Sequence, residues 1–166
     1  MNRTLTRRLR RPLTTLALLA SGFLWAGDTT LLTGPGFGPF RRLPGTWYGS
    51  LELNHTFSGS PIGGWLSADV TGDGRFLGLG PLVPFRMGNR WTGAVSTGPG
   101  WYSNDPGLNL GSRMEFRSTA YLQYQAFAEW RLSLALSHYS NGGIARHNPG
   151  AETLRLLLVI PIRRRN

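Results

Sequence analysis

Residues 113–127 alternate in polarity with a period of two. Phe116, Ala120, Leu122, Tyr124 and Ala126 take one side of an extended chain, and Glu115, Arg117, Thr119, Gln123 and Gln125 take the other. Successive side chains of a strand point to opposite faces, so this run belongs in a sheet with two unlike faces rather than in a helix. Further strand-like runs occur at 46–57, 63–70, 76–85, 91–102, 131–140 and 152–162. Turn signals separate many of them: SGSP after Phe57, Thr71-Gly72-Asp73-Gly74, Gly88-Asn89 and the loop SNDPGLN. A weaker strand is expected at 29–33, followed by an irregular Gly- and Pro-rich connection to Gly45. There is no long amphipathic helix and no repeat of fixed period. The expectation is an all-β, eight-stranded antiparallel transmembrane β-barrel, with seven clear strands and one weak one.

Period-two alternation also suits a soluble β-sandwich, with the two faces reversed. The export signal and the charges on the inner face favour the membrane barrel, whose strands of about 9–11 residues put apolar side chains toward lipid and polar ones toward the lumen. Charges inside a lumen need partners, and Glu115 and Glu129 are expected to pair with Arg113 and Arg117 across strands.

The N-terminus reads as that export signal. Arg3, Arg7, Arg8, Arg10 and Arg11 precede the uncharged run PLTTLALLASGFLWA, which ends at Ala26. The run is short for a helical membrane span, which needs about 20 residues. The expected division is a signal peptide at 1–26 and a barrel domain at 27–166. Leu24 is large for its place before a cleavage site, so an uncleaved anchor and cleavage after Ala20 stay open. All 18 basic residues are arginines and the formal charge is +10. Much of that excess is terminal, with no helical stripe and no nucleic-acid motif, so no nucleic-acid partner is expected. The absence of cysteine excludes disulfides and cysteine-ligated metals.

Chemistry concentrates near the C-terminus. Leu132, Leu134, Leu136, His138 and Ser140 share one strand face, and Glu152, Leu154, Leu156, Leu158, Ile160 and Ile162 share another. The two strands are consecutive, so pairing brings Glu152 beside His138. A serine hydroxyl is a weak nucleophile until a base takes its proton. Histidine suits that task near neutral pH, and a carboxylate fixes its tautomer and stabilises the imidazolium. Such a set at the rim of two leucine stripes makes sense for a lipid ester. From spacing alone the signal is weak, and a polar strand end at the membrane interface is the favoured reading.

The stretch His138-Tyr139-Ser140-Asn141-Gly142-Gly143-Ile144, followed by Asn148-Pro149-Gly150, Glu152 and Ile160-Pro161-Ile162, resembles the lipid A 3-O-deacylases of the PagL family. The resemblance is densest over about the last thirty residues, and Leu110-Gly111-Ser112 is also similar. It implies an outer-membrane esterase that removes a 3-hydroxyacyl chain from position 3 of lipid A within lipopolysaccharide. His138 is then the base, Ser140 the nucleophile and Glu152 the orienting acid. It also implies Asn148, with backbone amides near Asn141 and Gly143, in the oxyanion hole. No metal or cofactor is needed, the surroundings are outer-membrane lipids, and a homodimer is a further implication. Gly142 departs from an alanine common in the family, and Arg163-Arg164-Arg165-Asn166 replaces a terminal aromatic residue. Two other readings are a phospholipid esterase of the same mechanism and a non-catalytic structural or lipid-binding barrel.

Other residues have plainer readings. His55 is expected in the lumen or at the rim, and His147 in a solvated loop. Asp69, Asp73 and Asp105 match no calcium loop. Trp47, Trp65, Trp91, Trp101 and Trp130 suit interfacial girdles or a β core. Arg41 and Arg42 suit either lipid A phosphate or solvent.

Overall fold

A computed structural model describes residues 27–39, 45–71, 74–104 and 109–163. The expected signal segment, Arg41, Arg42, Asp73 and Asp105 lie outside the described residues. Eight strands follow in order: β1 (Gly27–Gly38), β2 (Thr46–Phe57), β3 (Gly63–Thr71), β4 (Gly74–Arg86), β5 (Trp91–Asn104), β6 (Met114–Phe127), β7 (Trp130–Ser140) and β8 (Ala151–Arg163). Each pairs antiparallel with its neighbour in sequence, and β1 pairs with β8 to close the barrel. Closure leaves no free sheet edge, which a strand-built membrane protein requires.

The strand expected to be weak is twelve residues long and includes the Gly34-Pro35-Gly36 stretch. Its glycines read as loop, yet one of them answers a close approach. A Cβ on Gly34 would stand 2.1 Å from the Leu156 carbonyl oxygen, so β1 meets β8 where a side chain has no room.

The outer face is apolar, with Leu51, Leu66, Leu79, Val95, Leu122, Leu134 and Leu156 among its exposed residues. Trp91 and Trp101 are exposed on the same face of β5. Ten residues at about 3.3 Å each, tilted by about 40°, separate them by roughly 25 Å along the membrane normal, the height of an outer-membrane apolar band. Trp47 sits toward one rim, and Trp130, packed on Phe127, toward the other. Trp65 departs from the girdle expectation. It is buried in the lumen with its ring 4.1 Å from the Arg117 guanidinium carbon, because it shares the inward parity of Ser67 and Asp69.

An eight-stranded barrel is just wide enough for side chains to fill it. Leu32, Leu82, Ala94, Ala135, Leu157 and Val159 pack part of the lumen. Beside them lies a charge cluster. Arg117 contacts Glu52 at 2.6 Å and Asp69 at 3.1 Å, while Arg155 contacts Glu52 at 3.1 Å and Asp69 at 3.8 Å. Two cations thus face two carboxylates, and Ser50, Ser67, Ser137, Tyr121 and Tyr139 supply further hydrogen bonds. This corrects the expected partners of Arg117. Arg117 turns to strands β2 and β3 across the lumen rather than to Glu115 or Glu129. Its neighbour Glu115 is buried elsewhere on β6, while Arg113 is exposed outside the strand. Facing walls of a narrow barrel lie within reach of one long side chain, and charges from distant strands are therefore the natural partners.

Candidate active site

Strands β7 and β8 position the C-terminal residues. Their register places His138 opposite Glu152, as consecutive antiparallel pairing predicts. His138 Nδ1 lies 3.3 Å from Glu152 Oε1. The imidazole is half exposed on the outer face, and the carboxylate is more covered. With Nδ1 turned to the carboxylate, the tautomer that donates from Nδ1 leaves Nε2 with its lone pair, as a general base needs. Ser140 follows two residues along the same face. Among the described residues its hydroxyl makes no hydrogen bond to the imidazole. Such contacts commonly tighten only when substrate is bound.

The inward residues between them hold the strand in place. Tyr139 donates its hydroxyl to Asp69 Oδ2 at 2.8 Å, and its ring meets Phe76 edge-on. Ser137 accepts from Arg155 at 3.2 Å. On β8, Thr153 accepts from the Tyr48 hydroxyl at 2.7 Å. The outward residues His138, Ser140 and Glu152 thus alternate with inward residues tied to the lumen. Gly150 leaves room for the imidazole beside the loop. Its φ is +63°, and a Cβ there would lie 3.1 Å from His138 Cε1.

The connection between β7 and β8 is organised by Asn141, which is fully buried. Its side-chain amide donates to the carbonyls of His147, at 2.8 Å, and Leu110, at 3.3 Å. Its Oδ1 accepts from Gly143 N at 3.0 Å, and its own N–H donates to Asn148 Oδ1 at 3.1 Å. The backbone amides implied as oxyanion donors at Asn141 and Gly143 are therefore both engaged within the loop. Asn148 is exposed, and the bond to its Oδ1 fixes its amide plane while its Nδ2 makes no hydrogen bond among the described residues. His147 is exposed in this loop, as expected. His55 is at the opposite rim on the outward parity of β2, 2.9 Å from Thr29 Oγ1, and takes no part in the site.

Beside His138 and Glu152 runs a shallow groove of about 360 Å³ on the outer face, lined also by Val95, Ser118, Ala120 and Leu136. Its floor is low because β6 carries the small residues Ser118 and Ala120 between Val95 and Leu136. Ser118 was not among the residues expected at the site, although its parity with Phe116 and Ala120 was a signal for the outer face. Among the described residues no group of three or more His, Asp or Glu side chains is arranged to hold a metal ion.

Residues 38–161 match the model of the family described as lipid A 3-O-deacylase (PagL). No curated protein matches the chain in sequence. Among solved structures, the chain is similar to the crystal structure of the outer membrane enzyme PagL, with 18% identity, a TM-score of 0.56, and coverage of 81% of this chain and 99% of that one. It is also similar to the outer membrane protein Ail of Yersinia pestis in a phospholipid bilayer nanodisc, with 14% identity, a TM-score of 0.55, and coverage of 81% and 99%. A de novo designed transmembrane β-barrel gives 10% identity, a TM-score of 0.55, and coverage of 82% and 97%. At these identities the structural likenesses establish the barrel fold.

Proposed function

The chain belongs to the lipid A 3-O-deacylase (PagL) family, and from that membership we propose that it hydrolyses the ester-linked 3-hydroxyacyl chain at position 3 of lipid A, with Ser140, His138 and Glu152 as its catalytic triad. It is a β-barrel of the bacterial outer membrane, so a lipid substrate reaches its outer face by lateral diffusion. The observation that carries the reading is the 3.3 Å contact between His138 and Glu152 on that face, with Ser140 two residues along the strand.

The steps follow from the types and placement of these groups. Ser140 Oγ attacks the ester carbonyl carbon while its proton passes to His138 Nε2. Glu152 holds the ring through Nδ1 and stabilises the imidazolium. The oxyanion that forms accepts a hydrogen bond from Asn148 Nδ2, whose plane the bond to Asn141 N has set beforehand. The carbon–oxygen bond to the sugar breaks, and the imidazolium gives its proton to the departing sugar oxygen. Water, deprotonated by His138, then attacks the acyl-serine. It releases the 3-hydroxy fatty acid and restores the Ser140 hydroxyl. Throughout, the acyl chain lies over the groove and the leucine stripes.

Mass spectrometry of lipid A from cells expressing this chain or its Ser140→Ala variant tests the reading. The expected result is loss of one 3-hydroxyacyl group with the parent and an unaltered mass with the variant. Unaltered lipid A with both, together with inactivity of the purified folded parent on lipid A, would overturn it. Lysophospholipid from the parent alone would move the same chemistry to a phospholipid substrate.

A further inference from the structure

One row of polar residues crosses the apolar outer face. Thr97 on β5 is the register partner of Ser118 on β6, Ser118 that of His138 on β7, and His138 that of Glu152 on β8. The last two belong to the site already described. The first two form an exposed hydroxyl pair, with Thr97 Oγ1 and Ser118 Oγ 2.9 Å apart. Thr97 lies four residues from Trp101 and six from Trp91 on its strand, well inside the apolar band. Its backbone is fixed from within, because the Trp65 indole donates to the Thr97 carbonyl at 3.2 Å.

Lipid tails offer such a pair nothing. Two hydroxyls carry two hydrogens, and the bond between them uses one. The second hydrogen and the remaining lone pairs face hydrocarbon, where an unsatisfied polar group is costly. A ligand hydroxyl, which both donates and accepts, complements the pair. Ser118 also forms the floor of the groove that begins at His138.

We propose that Thr97 and Ser118 form a specificity site for a hydroxyl carried by the acyl chain near its ester carbonyl. The inference rests on the reading of Ser140, His138 and Glu152 as an esterase triad. The register partner of Ser140 on β6 is Phe116, and Ser118 is the next outward residue. Outward neighbours on a strand are separated by about 6.6 Å. A chain with its carbonyl at Ser140 enters the groove over β6. A hydroxyl on the second carbon beyond the carbonyl spans that separation with one carbon–oxygen bond and one hydrogen bond. A chain lacking the hydroxyl leaves the pair unsatisfied in the same position.

The test compares two glycolipid esters of equal acyl length in mixed micelles, one hydroxylated on that second carbon and one not. The parent chain is expected to favour the hydroxylated ester in kcat/KM by roughly tenfold, the scale of one good hydrogen bond. Ser118→Ala and Thr97→Val are expected to bring that ratio close to one, and Thr97→Ser to keep it. A hydroxyl pair that merely stitches β5 to β6 would change folding without changing the ratio. Heat-modifiable mobility on gels identifies the folded barrels to be compared. An unchanged ratio in both hydroxyl-deleting variants, with Ser140→Ala inactive on both esters, overturns the specificity site and leaves the triad standing. Hydrolysis of both esters by folded Ser140→Ala overturns the triad reading, and the specificity site with it.

Discussion

Tyr139 points into the barrel between two outward residues, His138 and Ser140, and donates its hydroxyl to Asp69 on β3 at 2.8 Å. The bond joins the strand that carries the proposed base and nucleophile to the charge cluster in the lumen. Asp69 also receives Arg117 at 3.1 Å and Ser50 at 2.6 Å, so its position is set by several partners. Through Tyr139 that rigidity reaches the neighbours on either side.

Tyr139→Phe isolates this link. The ring and its contact with Phe76 stay, and Asp69 keeps its other partners. The expected loss of stability is about 1.5–3 kcal/mol, the range for a hydrogen bond to a charged group. Activity on lipid A is expected to fall several-fold through kcat, because Ser140 and His138 lose their shared anchor. Urea titration in detergent gives the first quantity and steady-state kinetics the second. Parent-like kcat in a variant destabilised by that amount would show that the anchor serves folding alone.

The lumenal cluster predicts non-additivity. Removing one charge, as in Glu52→Gln, leaves Arg117 and Arg155 facing Asp69 alone. Breaking a buried pair in this way costs about 3–5 kcal/mol. The double variant Glu52→Gln/Arg117→Met restores the charge balance and is expected to lose less than the sum of its single variants. Folding midpoints of the four proteins in a double-mutant cycle measure the coupling. Additive losses would mean that these two residues do not share a network.

The two faces of the strands were legible in the sequence because alternation is a local property. Parity placed Leu134 and Leu156 outside and Arg117 and Thr119 inside, and the structure agrees. The meeting of His138 and Glu152 was legible too, since consecutive strands with a short connection pair in antiparallel register. The partners of Arg117 were not. Glu52 and Asp69 lie 65 and 48 residues away in sequence, and closure of the barrel alone brings them near. The full extent of β1 was hidden by glycines that local rules assign to loops, whereas the approach of Leu156 to Gly34 is a tertiary fact. The engagement of the Asn141 and Gly143 amides was equally out of reach, because it depends on how the loop folds back on itself.

Leu134→Arg tests the assignment of the outer face. Leu134 is exposed on β7 within the leucine stripe. An arginine near the middle of the apolar band of a transmembrane barrel costs about 2–4 kcal/mol. Folding free energies measured in lipid vesicles are expected to show that loss for Leu134→Arg and a smaller one for Leu134→Ala. A soluble, water-facing surface would tolerate the arginine within about 0.5 kcal/mol.

Gly150→Ala probes the space beside His138. The residue has φ +63°, and the new methyl would sit 3.1 Å from His138 Cε1. The left-handed backbone makes alanine unfavourable by about 1 kcal/mol. The contact also pushes the imidazole away from its present place. Activity is expected to drop by roughly tenfold in kcat, the effect of 1.4 kcal/mol on a barrier. Equal kcat for the parent and a folded Gly150→Ala variant would show that the open space at residue 150 does not matter to the proposed base His138.

Asn148 provides the most discriminating pair of substitutions. Its Oδ1 accepts the Asn141 N–H, and its Nδ2 is the proposed oxyanion donor. Asn148→Asp keeps an oxygen for Asn141, deletes the donor and puts negative charge beside a developing negative charge. Removing one oxyanion donor costs about 10²–10³ in kcat elsewhere, so a loss of at least that order is expected here. Asn148→Ala deletes the proposed donor but also releases the Asn141 N–H, which directly follows the proposed nucleophile Ser140 and can turn to the oxyanion. Its loss is therefore expected to be smaller than that of Asn148→Asp. Steady-state kinetics on lipid A, with folding verified by gel mobility, supply both values. If Asn148→Ala is fully active and Asn148→Asp inactive, the backbone amide of Asn141 is the true donor and Asn148 holds it in reserve. If both retain parent-like kcat, neither group meets the oxyanion and the hole must be built elsewhere in the loop.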